Sequence, residues 1–165
     1  MIKTELTVLG IDPGLNHTGY GIISQLNNRF IYKGCGTIST SPKVSFSKRL
    51  NKIFEDLKEI IKLYHPDLMA IEETIYAQNV KTALKLGHAR GAALLAGASF
   101  NLDVFAYSPK KIKSSVTGNG SANKEQVKYM VSNLLSLKKE ITSFDTSDAL
   151  ATAITHLNQN KFIGR

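Results

Sequence analysis

Acids are scarce in this chain, 13 Asp and Glu against 21 Lys and Arg, so the places where they fall carry weight. Asp12 ends an apolar run in "VLGIDPGLNHTGYGII" (8–23), just before a Pro-Gly turn. Glu72 and Glu73 end a second apolar run, "DLMAIEE" (67–73). Side chains alternate along a strand, so these two point to opposite faces. Asp145 and Asp148, in "DTSDAL", are three apart and share a face if the segment is helical. Each acid also has an ordinary use. Asp before Pro-Gly is a common turn residue. An acid at a helix start serves as a cap or complements the helix dipole. Glu72 resists such an account, because it sits inside an apolar strand.

Together, Asp12, Glu72, Asp145 and Asp148 suggest a divalent-metal cluster. Oxygen ligands without Cys or a local His pair favour Mg²⁺ or Mn²⁺ over Zn²⁺. Carboxylates held close repel one another, so some of their pKa values should be raised. Two cations about 3.5–4 Å apart would relieve that repulsion, activate a water and stabilise the leaving oxygen of a phosphodiester. A basic surface around a small acidic pit suits a nuclease.

Such a cluster needs strand ends brought side by side. Residues 5–12 read as a buried strand stopped by Pro13-Gly14, Thr18–Leu26 as its hairpin partner, and Phe30–Ser39 as a third strand after an Asn27-Asn28 turn. The period then becomes helical, with Phe46, Leu50, Ile53, Phe54, Leu57, Ile60, Ile61 and Tyr64 apolar until Pro66. A short strand (67–73), a helix (79–100) and a strand (104–107) follow. Ser108-Pro109 starts a short helix. After the glycine-rich "TGNGSANK" (117–124), one helix runs to about Leu137 and a last one spans Thr146–His156. The order βββαβαβααα predicts an α/β fold with a five-stranded mixed sheet and helices on both faces, as one domain over residues 1–165. With the first and fourth strands adjacent, the four acids can converge.

The net charge of +8 points to a polyanionic partner, nucleic acid first. No run approaches the roughly 20 apolar residues of a membrane span. No signal-peptide pattern is present, and the single Cys35 fits a reducing, cytoplasmic setting.

Four segments, "GIDPGLNHTGYGII", "AIEETIYAQNVKTALKLGHARG", "VTGNGSANKEQV" and "DTSDALATAITH", occur in this order over nearly the whole chain. In this the sequence closely resembles the RuvC family of bacterial Holliday junction resolvases. The resemblance implies a ribonuclease H-like fold and a homodimer. It also implies Mg²⁺-dependent, paired symmetric nicking of four-way DNA junctions, leaving 5′-phosphate and 3′-hydroxyl ends, and cooperation with the RuvA–RuvB branch-migration complex. The family's catalytic acids fall on Asp12, Glu72, Asp145 and Asp148. Lys113 and Lys124 fall where the family places basic residues near the scissile backbone, and Lys110, Lys111 and Lys128 add basic density to the expected DNA-binding face. The family commonly has an aromatic residue three positions after the Glu, used at the junction core. Here that position is Ile75 and Tyr76 follows, and either side chain can wedge or stack. Gly87, Gly91 and Gly97 each cost helix stability, about 1 kcal/mol relative to Ala. That cost suggests close helix approach, and the family uses this helix, with Gly87 and Gly91, at its dimer interface. Close packing on the chain's own sheet is the other account of such glycines. His17, His88 and His156 are assigned no catalytic role.

Two other classes compete. The first hairpin alone fits a sugar-kinase-like or actin-like nucleotide binder, but that architecture needs two such domains and a second Asp-x-Gly loop. A non-catalytic DNA-binding relative would have no use for all four acids.

Overall fold

The computed structural model describes residues 5–73 and 79–160. Three strands come first, β1 (Glu5–Asp12), β2 (His17–Leu26) and β3 (Arg29–Ser39), followed by helix α1 (Phe46–Tyr64). Next are β4 (Leu68–Glu72), α2 (Val80–Ala98) and β5 (Asp103–Tyr107), then α3 (Pro109–Thr117), α4 (Lys124–Leu134) and α5 (Phe144–Asn160). The sheet order is β3-β2-β1-β4-β5. The first three strands form an antiparallel meander, while β4 and β5 add on in parallel. This is the expected five-stranded mixed sheet.

Local chemistry explains the boundaries. Asn27 and Asn28 both take positive φ, 49° and 61°, which a tight two-residue hairpin turn requires. Helix α1 ends at His65 in the left-handed conformation, and Pro66 blocks continuation. Ser108 caps α3, accepting from the Lys111 amide at 3.3 Å, with Pro109 at the first helical position. Asn123 and Gln126 form a reciprocal capping box on α4.

Two helices differ in extent from the sequence reading. Helix α4 stops at Leu134 rather than Leu137, because Ser136 takes φ 50° and turns the chain. Helix α5 starts two residues earlier and ends four later than expected.

Both sheet faces are covered, hence the near-continuous burial of β1 and β4. Leu9, Ile11, Met69 and Ile71 face α1 and α2. Val8, Leu68 and Ala70 face α3, α4 and α5. By alternation Asp12 and Glu72 belong to this second face. Helix α5 is the central piece there, with Ala149, Leu150, Ala151, Ala153, Ile154 and Leu157 all fully buried. Its buried Thr152 and Thr155 hydroxyls donate to carbonyls one turn back, those of Asp148 and Ala151, each at 2.8 Å. No described helix is long and apolar enough to cross a membrane.

Candidate active site

Asp12 and Glu72 end adjacent parallel strands. Ile11 pairs with Ile71, which leaves the two carboxyls side by side at the sheet's end. Helix α5 brings the third acid. It lies so close on the sheet that a Cβ on Gly10 would run into the Ala149 carbonyl oxygen, and one on Gly19 into that of Asp145. The glycines of β1 and β2 thus form a flat seat that sets the height of α5. Helix α3, through Lys113 in its second turn, and helix α4, through Lys124 at its first residue, close the site. Asp12, Glu72, Asp148, Lys113 and Lys124 line one cavity of about 250 Å³, together with Pro109, Ile112 and Val127.

Asp145 departs from the expectation. It does not line this cavity, because the first turn of α5 lies over β2 at Gly19, away from Glu72. It borders a neighbouring cavity of about 500 Å³ with Gly14, Asn16, His17, Arg49 and Lys85. Its charge still reaches Asp12 and adds to the repulsion there.

The electrostatics are those of crowded acids. Burial, then repulsion from Glu72, Asp148 and Asp145, pushes the Asp12 carboxyl up to about 9, with Lys124 pulling the other way. Burial and Asp148 raise Glu72 to about 7, against a hydrogen bond from Asp12 and the pull of Lys124 and Lys113. Asp148 is raised too, by burial, opposed by Lys124, whose Nζ lies 3.6 Å from its Oδ2. As the side chains stand, no three described His, Cys, Asp or Glu residues are gathered tightly enough to hold an ion. The donor set still fits a hard cation. It offers only carboxylate oxygens, with no thiol or imidazole in the lining, and their raised pKa values mark a place where positive charge is wanted.

This gives a pH prediction for protein stripped of divalent ions. The folded chain retains protons that the unfolded chain has released, on Asp12 from about pH 4 to about pH 9 and on Glu72 from about pH 4.5 to about pH 7, since their ordinary values are 3.8 and 4.5. The native state therefore binds more protons, and stability falls as pH rises across those windows. Thermal melts in EDTA should show Asp12→Asn more stable than the parent, with a gap that widens from pH 5 to pH 8.5. A gap that shrinks with pH would refute this charge state.

The loop that follows Asp12 is held by side chains that inspection of the sequence passed over. Thr18 Oγ1 donates to the Gly14 carbonyl at 2.7 Å. Arg49, buried on α1, donates through Nε to Thr40 Oγ1 at 2.8 Å and through Nη2 to Asn16 Oδ1 at 2.5 Å. Its signal was present: Arg49 occupies the same i, i+4 stripe as Ile53, Leu57 and Ile61. A charge on an apolar stripe asks for buried acceptors.

The other expected site residues are placed as follows. Lys110 and Lys111 are exposed on α3 and do not line the acid cavity. Lys128 pairs with Glu140 at 3.1 Å. Ile75 and Tyr76 lie outside the described residues. Gly87 and Gly91 have nothing within 4 Å of a Cβ position, so close packing within the chain is not their reason. They line an apolar groove of about 670 Å³ between α1 and α2. Gly97 does pack on the chain's own sheet, against Met69. His17 and His88 are exposed. His156 is buried, with Nδ1 2.8 Å from the Tyr107 hydroxyl.

Comparison with known proteins gives this geometry a family. The family model for crossover junction endodeoxyribonuclease RuvC matches residues 8–156. The crossover junction endodeoxyribonuclease RuvC of Geobacter sulfurreducens is 49% identical over 153 residues, 93% of each chain. Among solved structures, Thermus thermophilus RuvC in complex with Holliday junction substrate is 32% identical with TM-score 0.89, over 95% of this chain and 96% of that one. Another structure of Thermus thermophilus RuvC aligns with TM-score 0.86 at 31% identity over the same shares. The mixed sheet is thus the ribonuclease H-like sheet of those structures. With a match that spans both acid-bearing strands and the helix seated on them, the chain belongs to the RuvC family of crossover junction endodeoxyribonucleases.

Proposed function

We propose that this endodeoxyribonuclease resolves four-way DNA junctions by paired, symmetric hydrolysis of phosphodiesters, and that Asp12, Glu72, Asp145 and Asp148 are its catalytic acids. One observation carries the reading: three carboxyls and two lysines share a small cavity in a chain of net charge +8. Lys113 on α3 and Lys124 at the start of α4 hold the phosphate. Lys110, Lys111 and Lys128 extend the basic face along the backbone. The acids hold Mg²⁺, or Mn²⁺ in its place. Two such ions, when bound, would supply an activated water and stabilise the charge on the leaving oxygen. In the reaction a water attacks phosphorus and the bond to O3′ breaks, which leaves a 5′-phosphate and a 3′-hydroxyl. The acids, fixed on two strand ends and a packed helix, set the geometry in which this occurs.

Paired nicks need two sites. We read the apolar groove around Gly87 and Gly91 as the face that a second copy covers in a homodimer. Ile75 or Tyr76 acts at the junction core, and RuvA–RuvB delivers the junction in the cytoplasm. Lys contacts to phosphate bind any DNA, so selectivity for the junction rests on shape.

The test uses a labelled four-way junction and a linear duplex of the same sequence. In Mg²⁺ the junction should be nicked on two opposing strands, with ligatable ends, and the duplex spared. EDTA should stop cutting. Cutting that persists in EDTA, or equal cutting of the duplex, would refute the proposal.

A further inference from the structure

Phe144 opens α5, one residue before Asp145, and its ring is left 37% exposed on a helix that is otherwise mostly buried. Two ammonium groups sit by it. Lys124 Nζ and Lys128 Nζ are each 5.7 Å from the ring centroid, within the range of a cation–π contact. The two lysines are four residues apart on α4, so they share a face.

Their other contacts differ. Lys128 is largely buried and held by Glu140 at 3.1 Å. Lys124 is 63% exposed, and its ion pair with Asp148 is long, 3.6 Å. An exposed four-carbon stem loses much rotamer freedom when fixed in one place, and one long contact holds it weakly. The ring is its second anchor, and an anchor of a useful kind. A carboxylate close enough to bind Lys124 firmly would occupy its N–H donors, whereas a ring face attracts the charge and leaves those donors free.

We propose that Phe144 is a positioning residue for Lys124: its ring holds the ammonium at the mouth of the acid cavity with hydrogen-bond donors free for a DNA phosphate. The proposal rests on the nuclease reading of that cavity.

Phe144→Leu keeps an apolar side chain and removes the ring face, while Phe144→Tyr keeps it. Two measurements decide. In DNA-free protein, NMR of the lysine side chains should show ε-methylene protons of Lys124 shifted upfield by the ring in the parent and in Phe144→Tyr, and unshifted in Phe144→Leu. In steady-state cleavage, Phe144→Leu should lower kcat/KM about fivefold, the size of an exposed cation–π contact. Phe144→Tyr should restore it. The double variant Phe144→Leu/Lys124→Ala should cut no more slowly than Lys124→Ala alone.

Lys124 resonances identical in parent and Phe144→Leu would overturn the proposal, and so would additive effects in the double variant. If the parent protein cuts no junction, the nuclease reading has failed, and the lysine spectra still decide whether the ring places Lys124.

Discussion

Replacing Asp12 by Asn is expected to lower the single-turnover rate of junction cleavage by at least about 10³-fold, with junction affinity changed less than about threefold. Asp12 is the acid on which the others converge: Glu72, Asp148 and Asp145 all raise its carboxyl, and it donates a hydrogen bond to Glu72. Asn fills the same space and can still donate to Glu72, but it lacks the charge that would hold a cation. The site therefore keeps its shape and loses a ligand. Affinity should survive because the proposed phosphate contacts come from lysines on α3 and α4, which the substitution does not touch. Glu72→Gln should behave the same way. Gel-shift titration beside cleavage of the same labelled junction separates the two effects. Loss of binding by a variant that melts normally would contradict this division between acids and lysines.

Gly10→Ala is expected to destabilise the protein by about 3 kcal/mol, a drop of roughly 6–12 °C in Tm for a chain of this size. The added methyl would meet the Ala149 carbonyl oxygen, with the Ala153 amide nitrogen 2.8 Å and Cβ 2.9 Å away. Two of these are backbone atoms of a buried helix and cannot rotate aside. The helix must lift from the strand, and with it Asp148. A shift of about 1 Å at a reacting centre can cost 10²-fold in rate, so Gly10→Ala should cut poorly even below its melting temperature. Gly97→Ala is the control. Its Cβ would meet the flexible end of the Met69 side chain, 3.0 Å from Cε, rather than backbone, and helix propensity favours Ala by up to about 1 kcal/mol, so its melting temperature should change far less. Thermal melts of both variants check the pair. A Gly10→Ala protein that melts with the parent would show that the seat of α5 is not tight.

The sheet was legible because its signals are local. Strand ends at Asp12, Leu26, Ser39 and Tyr107 coincide with turn residues or a cap, and the antiparallel start follows from short turns. Glu72 was legible as a site residue because a charge inside an apolar strand has no local partner. The separation of Asp145 from Asp148 was not. Helical spacing puts them on one face, but which strand each lies over depends on how α5 crosses the sheet, and that is fixed by glycines more than a hundred residues away. The end of α4 was misjudged because Leu134, Leu135 and Leu137 continue an apolar pattern past a left-handed Ser136. The lysine pair around Phe144 joins two helices, and no spacing rule relates residue 124 to residue 144.

The seat of α5 also sets a schedule. A ribosome emits β1 and β4 early, so Asp12 and Glu72 are made long before the helix that brings Asp148. Contacts between distant parts of the chain form late, because the intervening loop must close first. A nascent chain halted before residue 144 carries Asp12 and Glu72 but neither Asp145 and Asp148 nor the helix that bears them. The acid cluster is completed only when the last helix docks.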